Sequence, residues 1–325
     1  LISSLSQAWR GLGLLLTLVS SIALGQPGSS ERDCFPRPSR CGYPDATNTG
    51  VPPGTKLKSS GSRTVTTDGA TLDGLRVEGT VTIAADDVTI QRSRIVRTSG
   101  GSGSYAVLLE EGADNFTIKD TEVLGPASQS NGLESAVWNH YNNPGATATR
   151  VHFHRCADCW EGSGTFRDSY MLVDAAYSGS HDEDIYVCGG TVKVVHSTLV
   201  NTHQQTATVF GDTDGCGGNR FIVVGSLLAG GGYVLYPQAN SNGEIGSMFV
   251  AGNRFARCVT APTPDPRGDG HVCRGGADSN GLFPYGGYYG VAAHYYSGRR
   301  HVWRKNVWDD NLRPVCPRVS CGGRR

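Results

Sequence analysis

The stretch Thr191–Tyr236 reads TVKVVHSTLVNTHQQTATVFGDTDGCGGNRFIVVGSLLAGGGYVLY, and it states one phrase twice. The first copy is Val192–Leu199 (VKVVHSTL) and the second is Phe221–Leu228 (FIVVGSLL). Both run apolar-x-apolar-x-x-small-x-apolar. Apolar residues two apart make a strand with one buried face. The small or polar residue three places on marks a turn, and the next apolar residue re-enters the core.

The phrase recurs outward from there. Val88–Ile95 and Phe116–Val123 are clean copies, and Ala70–Val77 is a weak one. Val151–Cys156 opens another and Phe166–Met171 is truncated. Phe249–Phe255 and Val302–Trp308 close the series. The sixth place holds Ser93, Thr121, Cys156, Ser169, Ser197, Ser226, Asn253 and Asn306, the residue types that an internal hydrogen-bonded ladder needs. Many copies are spaced as the coils of a solenoid are. The chain has 325 residues, yet a solenoid need not divide into two domains, because each coil buries its face against its neighbours. The 45 glycines fall largely between the phrases, where turns are required.

Arg10 precedes an apolar run over 11–24, and Ala23-Leu24-Gly25 offers a small-residue cleavage site. This predicts a secretory signal peptide over residues 1–25 and a secreted, extracellular protein. Residues 26–62 are rich in Pro, Ser and Gly and are expected to cap the first coil. The β-helix then occupies 63–325, interrupted at about 260–297 by a Pro- and Gly-rich insertion. Lys+Arg and Asp+Glu number 29 each, and a zero net charge argues against nucleic-acid and anionic-membrane partners. The chain is expected to be a monomer. In an oxidising compartment the ten cysteines are read as disulfides. Cys34–Cys41, Cys258–Cys273 and Cys316–Cys321 are close in sequence. Cys188-Gly-Gly and Cys216-Gly-Gly open equivalent turns, so Cys188–Cys216 is expected between coils. Cys156 and Cys159 have metal or redox spacing, but without a second such pair a local disulfide is the expectation.

The phrase and its Ser/Thr/Asn ladder resemble the right-handed parallel β-helix superfamily, the pectate-lyase-like fold, over roughly Val65–Trp308. His181–Val187 (HDEDIYV) and Gly230–Tyr233 (GGGY) look like a His-x-Asp-Gly-Ile-Gln strand and a Gly-Gly-Gly-Tyr segment found in secreted bacterial β-helix proteins. Glu183-Asp184 stand where that pattern has Asp-Gly. The resemblance implies an all-β, single-stranded right-handed parallel β-helix, and a polysaccharide lyase, glycoside hydrolase, epimerase or depolymerase. The Asn-Thr-Asp, Gly-His-Gly and Arg-Ile-Lys set of polygalacturonases is missing. So are the Asp-Pro-His of mannuronan epimerases and the Arg-x-Pro-x-x-Arg of pectate lyases.

Aligning the two Cys-Gly-Gly turns sets Asp184 one coil below Asp212, with Asp182, Glu183 and Asp214 nearby. Carboxylates one coil apart suit a retaining glycosidase pair and two coils apart an inverting pair. Glu183, Asp184 and Asp212 would also suit Ca²⁺. In a lyase, His181, His203 or Lys193 would take the proton α to a uronate carboxylate. The catalytic candidates are therefore Asp182, Asp184, Asp212, His181 and His203. Tyr186, Gln204, Phe210, Tyr233 and Tyr236 are the candidates for binding sugar faces, with Tyr285, Tyr288, Tyr289, Tyr295 and Tyr296 in the late insertion. Between Gly125 and Tyr186, Glu134, Trp138, Asn139, His140, His152, His154, Trp160 and Glu161 gather where the loops lengthen. His152 and His154 alternate on one strand and share a face. His196 and Lys193 are read as outward structural residues. Two functions stand: cleavage of an extracellular polysaccharide by lyase or glycosidase chemistry, or a non-catalytic carbohydrate-binding or cell-surface β-helix.

Overall fold

The computed structural model describes residues 34–203, 206–212, 219–238, 246–257, 287–293 and 301–317. Among them are 26 strands and two short 3-10 turns, and every pairing between strands is parallel. The chain is a parallel β-helix. Each coil contributes to three walls in turn. The first wall is a nine-stranded sheet containing Thr89–Gln91, Thr117–Lys119, Thr191–Val195 and Arg220–Val224. The second and third walls share a 17-stranded sheet. Tyr170–Val173, Thr198–Asn201 and Leu227–Gly230 belong to the second wall. Cys156–Glu161, Glu183–Cys188 and Ala207–Asp212 belong to the third.

The recurring phrase builds the first corner. Val192 and Val194 of one coil lie beside Phe221 and Val223 of the next, and all four are fully buried. The re-entering residues Met171, Leu199, Leu228 and Phe255 stack in register inside the second wall. Burying each such side chain contributes about 1.5–3 kcal/mol, which is why the phrase keeps those places apolar. The ladder runs through the corner as expected. Ser197 Oγ donates to the Val195 carbonyl (3.1 Å) and accepts from the Ser169 N–H (3.2 Å), while the Ser197 N–H donates to Ser226 Oγ (3.1 Å). The Ser226 N–H in turn donates to Asn253, and the Asn253 N–H to Asn306.

The residue just before each ladder position turns the chain with a positive φ: 46° at Arg92, 50° at Asp120, 53° at Arg150, 49° at Asp168 and 45° at His196. Left-handed backbone costs a non-glycine residue about 1–2 kcal/mol. Here the outward side chains hold one another across coils. Arg150 grips Asp120 with two hydrogen bonds (2.6 and 2.8 Å), and His196 Nδ1 lies 2.6 Å from Asp168. His196 is thus an outward structural residue.

The structure corrects three expectations. Cys156 is not a ladder residue. In that coil the first-wall strand is Thr147–Thr149, and Val151 takes the ladder place, its N–H donating to Ser169 Oγ. Cys156 pairs instead with Leu133 on the third wall. Of the described part of the 26–62 segment, only the end caps the first coil, where Lys58–Gly61 pair with Leu75–Glu78. The rest, from Cys34, runs as a strap along the outside of the second wall, from the last coil to the first. Successive anchors are Cys34 N–H to Asp309 (2.7 Å), the Gly42 carbonyl to His196 (2.8 Å), Gly50 N–H to the Arg150 carbonyl (3.0 Å) and Lys58 N–H to the Gly74 carbonyl (2.8 Å). Beneath it Cys34, Cys41 and Tyr43 bury against Tyr170, Leu172, Val200, Leu227, Ala229 and Ala256. Outward apolar residues on the second wall are thereby covered. The third correction, to the register of the third wall, bears on the site below.

The disulfides Cys34–Cys41 and Cys156–Cys159 are both formed, so the latter pair is not a metal clip. Cys188 and Cys316 are disulfide-bonded, but Cys216, Cys258, Cys273 and Cys321 lie outside the described residues. Most of the insertion at 260–297 lies outside them too. Among the described residues no helix is long and apolar enough to cross a membrane.

Candidate functional site

The outer face of the third wall carries the chemistry. Its strands bend midway, where two consecutive residues turn inward: Cys159-Trp160, Asp184-Ile185 and Thr208-Val209, all fully buried. The bend leaves two outward rows. In the first row Tyr105 lies beside Ser135, Ser135 beside Asp158, and Asp158 beside Glu183; Ala207 and Tyr233 continue it. In the second row Leu108, Trp138, Glu161, Tyr186, Phe210 and Tyr236 follow one another.

Asp158 and Glu183 are the centre of the first row. Their carboxyl groups hydrogen-bond to each other, and the Glu183 N–H donates to Asp158 Oδ1 (3.1 Å). Glu183 is buried while Asp158 keeps a partly exposed surface. Burial raises both carboxyls, and the charge of Glu183 raises Asp158 further; Glu183 is pushed up to about 7 and Asp158 well above the usual carboxylate range. Two carboxylates in contact cannot both ionise, so the pair holds one proton at neutral pH. A second chain of contacts reaches solvent. Thr206 hydrogen-bonds Glu183, and the exposed His181 places Nδ1 3.1 Å from Thr206 Oγ1.

Glu161 sits across the bend on the second row. Burial raises its carboxyl, against hydrogen bonds from Ser135 (2.8 Å) and His140 (3.3 Å). Three residues separate Asp158 from Glu161 along the strand, roughly 10 Å of backbone. Tyr177, on the overhanging turn, has its hydroxyl pKa raised by burial and by the charges of Glu134, Asp158, Asp182 and Glu161.

Aromatic rings flank the acids on both sides. Below lie Tyr105 and Trp138 (5.2 Å between centroids), with His140 stacked on Trp138 (5.0 Å) and Tyr141 against its edge (5.7 Å). Above lie Tyr186 and Phe210 (5.8 Å), then Tyr236 (5.3 Å), Tyr233 and Tyr289. Four coil steps from Trp138 to Tyr236 span roughly 19 Å. Tyr141 and Tyr289 are 48% and 57% exposed, so rings are presented to solvent at both ends. The seven third-wall strands from Gly101–Leu109 to Gly290–Ala292 contain Glu134, Asp158, Glu161, Glu183, Asp184 and Asp212 but no Lys or Arg.

The expected residues divide sharply. Tyr186, Phe210, Tyr233 and Tyr236 do share one face. Gln204 lies outside the described residues. Asp184 and Asp212 are not vertical neighbours. The observed register sets Cys188 beside Asp212, a step of 24 residues, whereas the two cysteines are 28 apart. The four-residue difference displaces Asp184 from Asp212 by roughly 13 Å along the wall. Asp184 turns inward, fully buried against the Val200 backbone, and burial lifts its carboxyl well above the usual range. It is a neutral core acid. Asp212 is outward and accepts from the Tyr186 hydroxyl (3.0 Å). Glu183, Asp184 and Asp212 therefore do not converge as a Ca²⁺ ligand set. Asp182 and His203 are both buried and face each other at 2.9 Å, with Ser180 also donating to Asp182 (2.7 Å). They brace the turn behind Glu183 and are closed off from solvent. His181 is exposed.

Asp158 was hidden in the sequence by its place inside the Cys156–Cys159 pair. Its signal was that a carboxylate stands outward on a strand between the Glu134 and Glu183 coils.

A second cluster lies on the second wall, away from the acids of the third. Glu122 Oε1 is 3.0 Å from His154 Nε2, and Arg94 holds the other oxygen at 2.5 Å. Burial acts to raise Glu122, but the His154 hydrogen bond and the charges of His154 and Arg94 win and hold it at about 2. Burial, with the charge of His154, lowers His152 to about 3, so its imidazole is neutral.

No protein-family model, no curated protein and no solved structure matches this chain.

Proposed function

We propose that this protein is a secreted carbohydrate-active β-helix of the pectate-lyase-like kind that hydrolyses a polysaccharide laid along the third wall. The observation that carries the reading is the proton-sharing pair Asp158–Glu183 set between two aromatic patches. Sugar rings stack on aromatic faces, and acids placed between the stacking positions meet a glycosidic bond. The Arg10-led apolar run and the paired cysteines support secretion.

The Asp158–Glu183 pair shares one proton near neutral pH and gives it, from the partly exposed Asp158, to the leaving glycosidic oxygen. Glu183 holds that proton on Asp158 through their shared hydrogen bond. Glu161, across the bend, takes a proton from the attacking water. Asp158 and Glu161 stand three residues apart on one strand, a spacing nearer the roughly 6.5–9.5 Å of inverting enzymes than the roughly 5–5.5 Å of retaining ones, so the anomeric configuration inverts. His181, through Thr206, returns a proton to Glu183 from solvent. Hydrolysis is favoured over β-elimination because no Lys or Arg on these strands would neutralise a uronate carboxylate.

A panel of neutral, amino-sugar and uronate polysaccharides tests this. Reducing ends should rise on at least one member, and Asp158→Asn and Glu183→Gln should each slow release at least a hundredfold. A glycan that is retained by the protein on a column while no member is cleaved would favour the binding-only reading and remove the catalytic one.

A further inference from the structure

We propose that Glu122, His152 and His154 form a binding site for a divalent transition metal of the Zn²⁺ class, on the second wall beneath the strap and separate from the acids of the third wall. Strand period puts His152 and His154 on one outward face. Glu122 is the direct neighbour of His152 on the preceding strand. One ligand atom from each of the three lies within 4.8 Å of the others. The two imidazoles are stacked, 4.3 Å apart and inclined by 11°, and Tyr170 stacks on His152 at 5.1 Å. Because each nitrogen lone pair lies in its ring plane, a shared ion requires one ring to turn about its Cβ–Cγ bond so that both nitrogens meet it.

The donors are two imidazole nitrogens and one carboxylate oxygen. That set suits Zn²⁺, Co²⁺, Ni²⁺ or Cu²⁺ and is poor for Ca²⁺ or Mg²⁺. Arg94, by holding Glu122 Oε2, leaves Oε1 as the single oxygen turned to the histidines, the role second partners play around metal ligands. Three protein ligands leave a position for water. The strap crosses directly above: a β-carbon on Gly50 would lie 3.4 Å from His152 Cβ and 3.6 Å from Glu122 Cβ. An ion there would tie the Glu122 strand to the His152–His154 strand just where the strap covers both. The other compact donor group, Cys34, Cys41 and Asp309, makes no rival site, because its two sulfurs are bonded to each other.

The test uses tag-free, chelator-stripped full chain titrated with Co²⁺ and then Zn²⁺. One equivalent of Co²⁺ should give visible d–d absorption that Zn²⁺ displaces, and the ion should raise the thermal midpoint. Glu122→Gln and His154→Ala should each weaken Co²⁺ binding at least tenfold. Circular dichroism checks that both variants keep the fold, and Glu122→Gln, nearly isosteric, preserves packing. Asp158→Asn should bind Co²⁺ as the parent does. Absence of a one-to-one complex at roughly 1 mM Co²⁺ and Zn²⁺, or a complex unchanged in both second-wall variants, overturns the proposal.

Discussion

Replacing Glu183 by Gln should disable the site and at the same time stabilise the protein above neutral pH. The carboxyl is pushed up to about 7 in the folded chain from an ordinary 4.5, chiefly by burial. A proton held more tightly in the folded state adds stability that is complete below about pH 4.5 and is lost as pH rises through about 7. The difference of 2.5 pH units at 1.36 kcal/mol each is about 3 kcal/mol. Glutamine has the shape of the protonated acid and no proton to lose. It also removes the charge that raises Asp158. Urea unfolding at pH 4.5, 6, 7 and 8 reads the effect. Parent and Glu183→Gln should nearly coincide at pH 4.5 and separate steadily, the variant leading by up to about 3 kcal/mol at pH 8. Parallel curves across that range would show that Glu183 titrates normally and would remove the shared proton on which the catalytic assignment depends.

Asp184→Asn should also stabilise the chain at pH 8 relative to pH 5, since its burial-raised carboxyl loses stability as pH rises, but turnover should stay at the parental rate because the residue faces the core. Ser197→Ala should lower unfolding free energy by about 1–3 kcal/mol, because the buried Ser169 N–H loses its acceptor; the comparison is made by denaturant midpoint. Phe210→Ala should weaken retention of a cleaved glycan about tenfold, about 1.4 kcal/mol, with little change in fold by circular dichroism.

The solenoid was legible because every coil must meet the same physical demands. It needs two inward apolar residues, a polar turn with a hydrogen-bonding partner above and below, and one re-entering residue. Ser169, Ser197 and Ser226 meet those demands in register, and the sequence phrase reports them directly. Val151 hid one coil, since the ladder there yields to an apolar residue while Cys156, five places on, has the expected size. The site was harder to read. Turns between walls vary in length from coil to coil. Cys188 passes to the first-wall strand at Thr191 in three residues, whereas its neighbour Asp212 reaches Arg220 in eight. Matching the two Cys-Gly-Gly turns ignored that difference and shifted Asp184 toward Asp212. The aromatic ladder was immune to the shift, because Tyr186, Phe210 and Tyr236 keep their places after the bend whatever the length of the next turn. The strap was invisible for a different reason. Its contacts join residues as far apart as Cys34 and Asp309, and no local pattern encodes them.

The decisive measurement is product analysis by mass spectrometry after cleavage in ¹⁸O-labelled water, on whichever polysaccharide the chain turns over. Hydrolysis at Asp158, Glu183 and Glu161 predicts one heavy oxygen at each new reducing end and no product absorbing in the near ultraviolet. Unlabelled reducing ends, with an unsaturated uronate at each new non-reducing end, would mean elimination and would contradict the assignment of these acids.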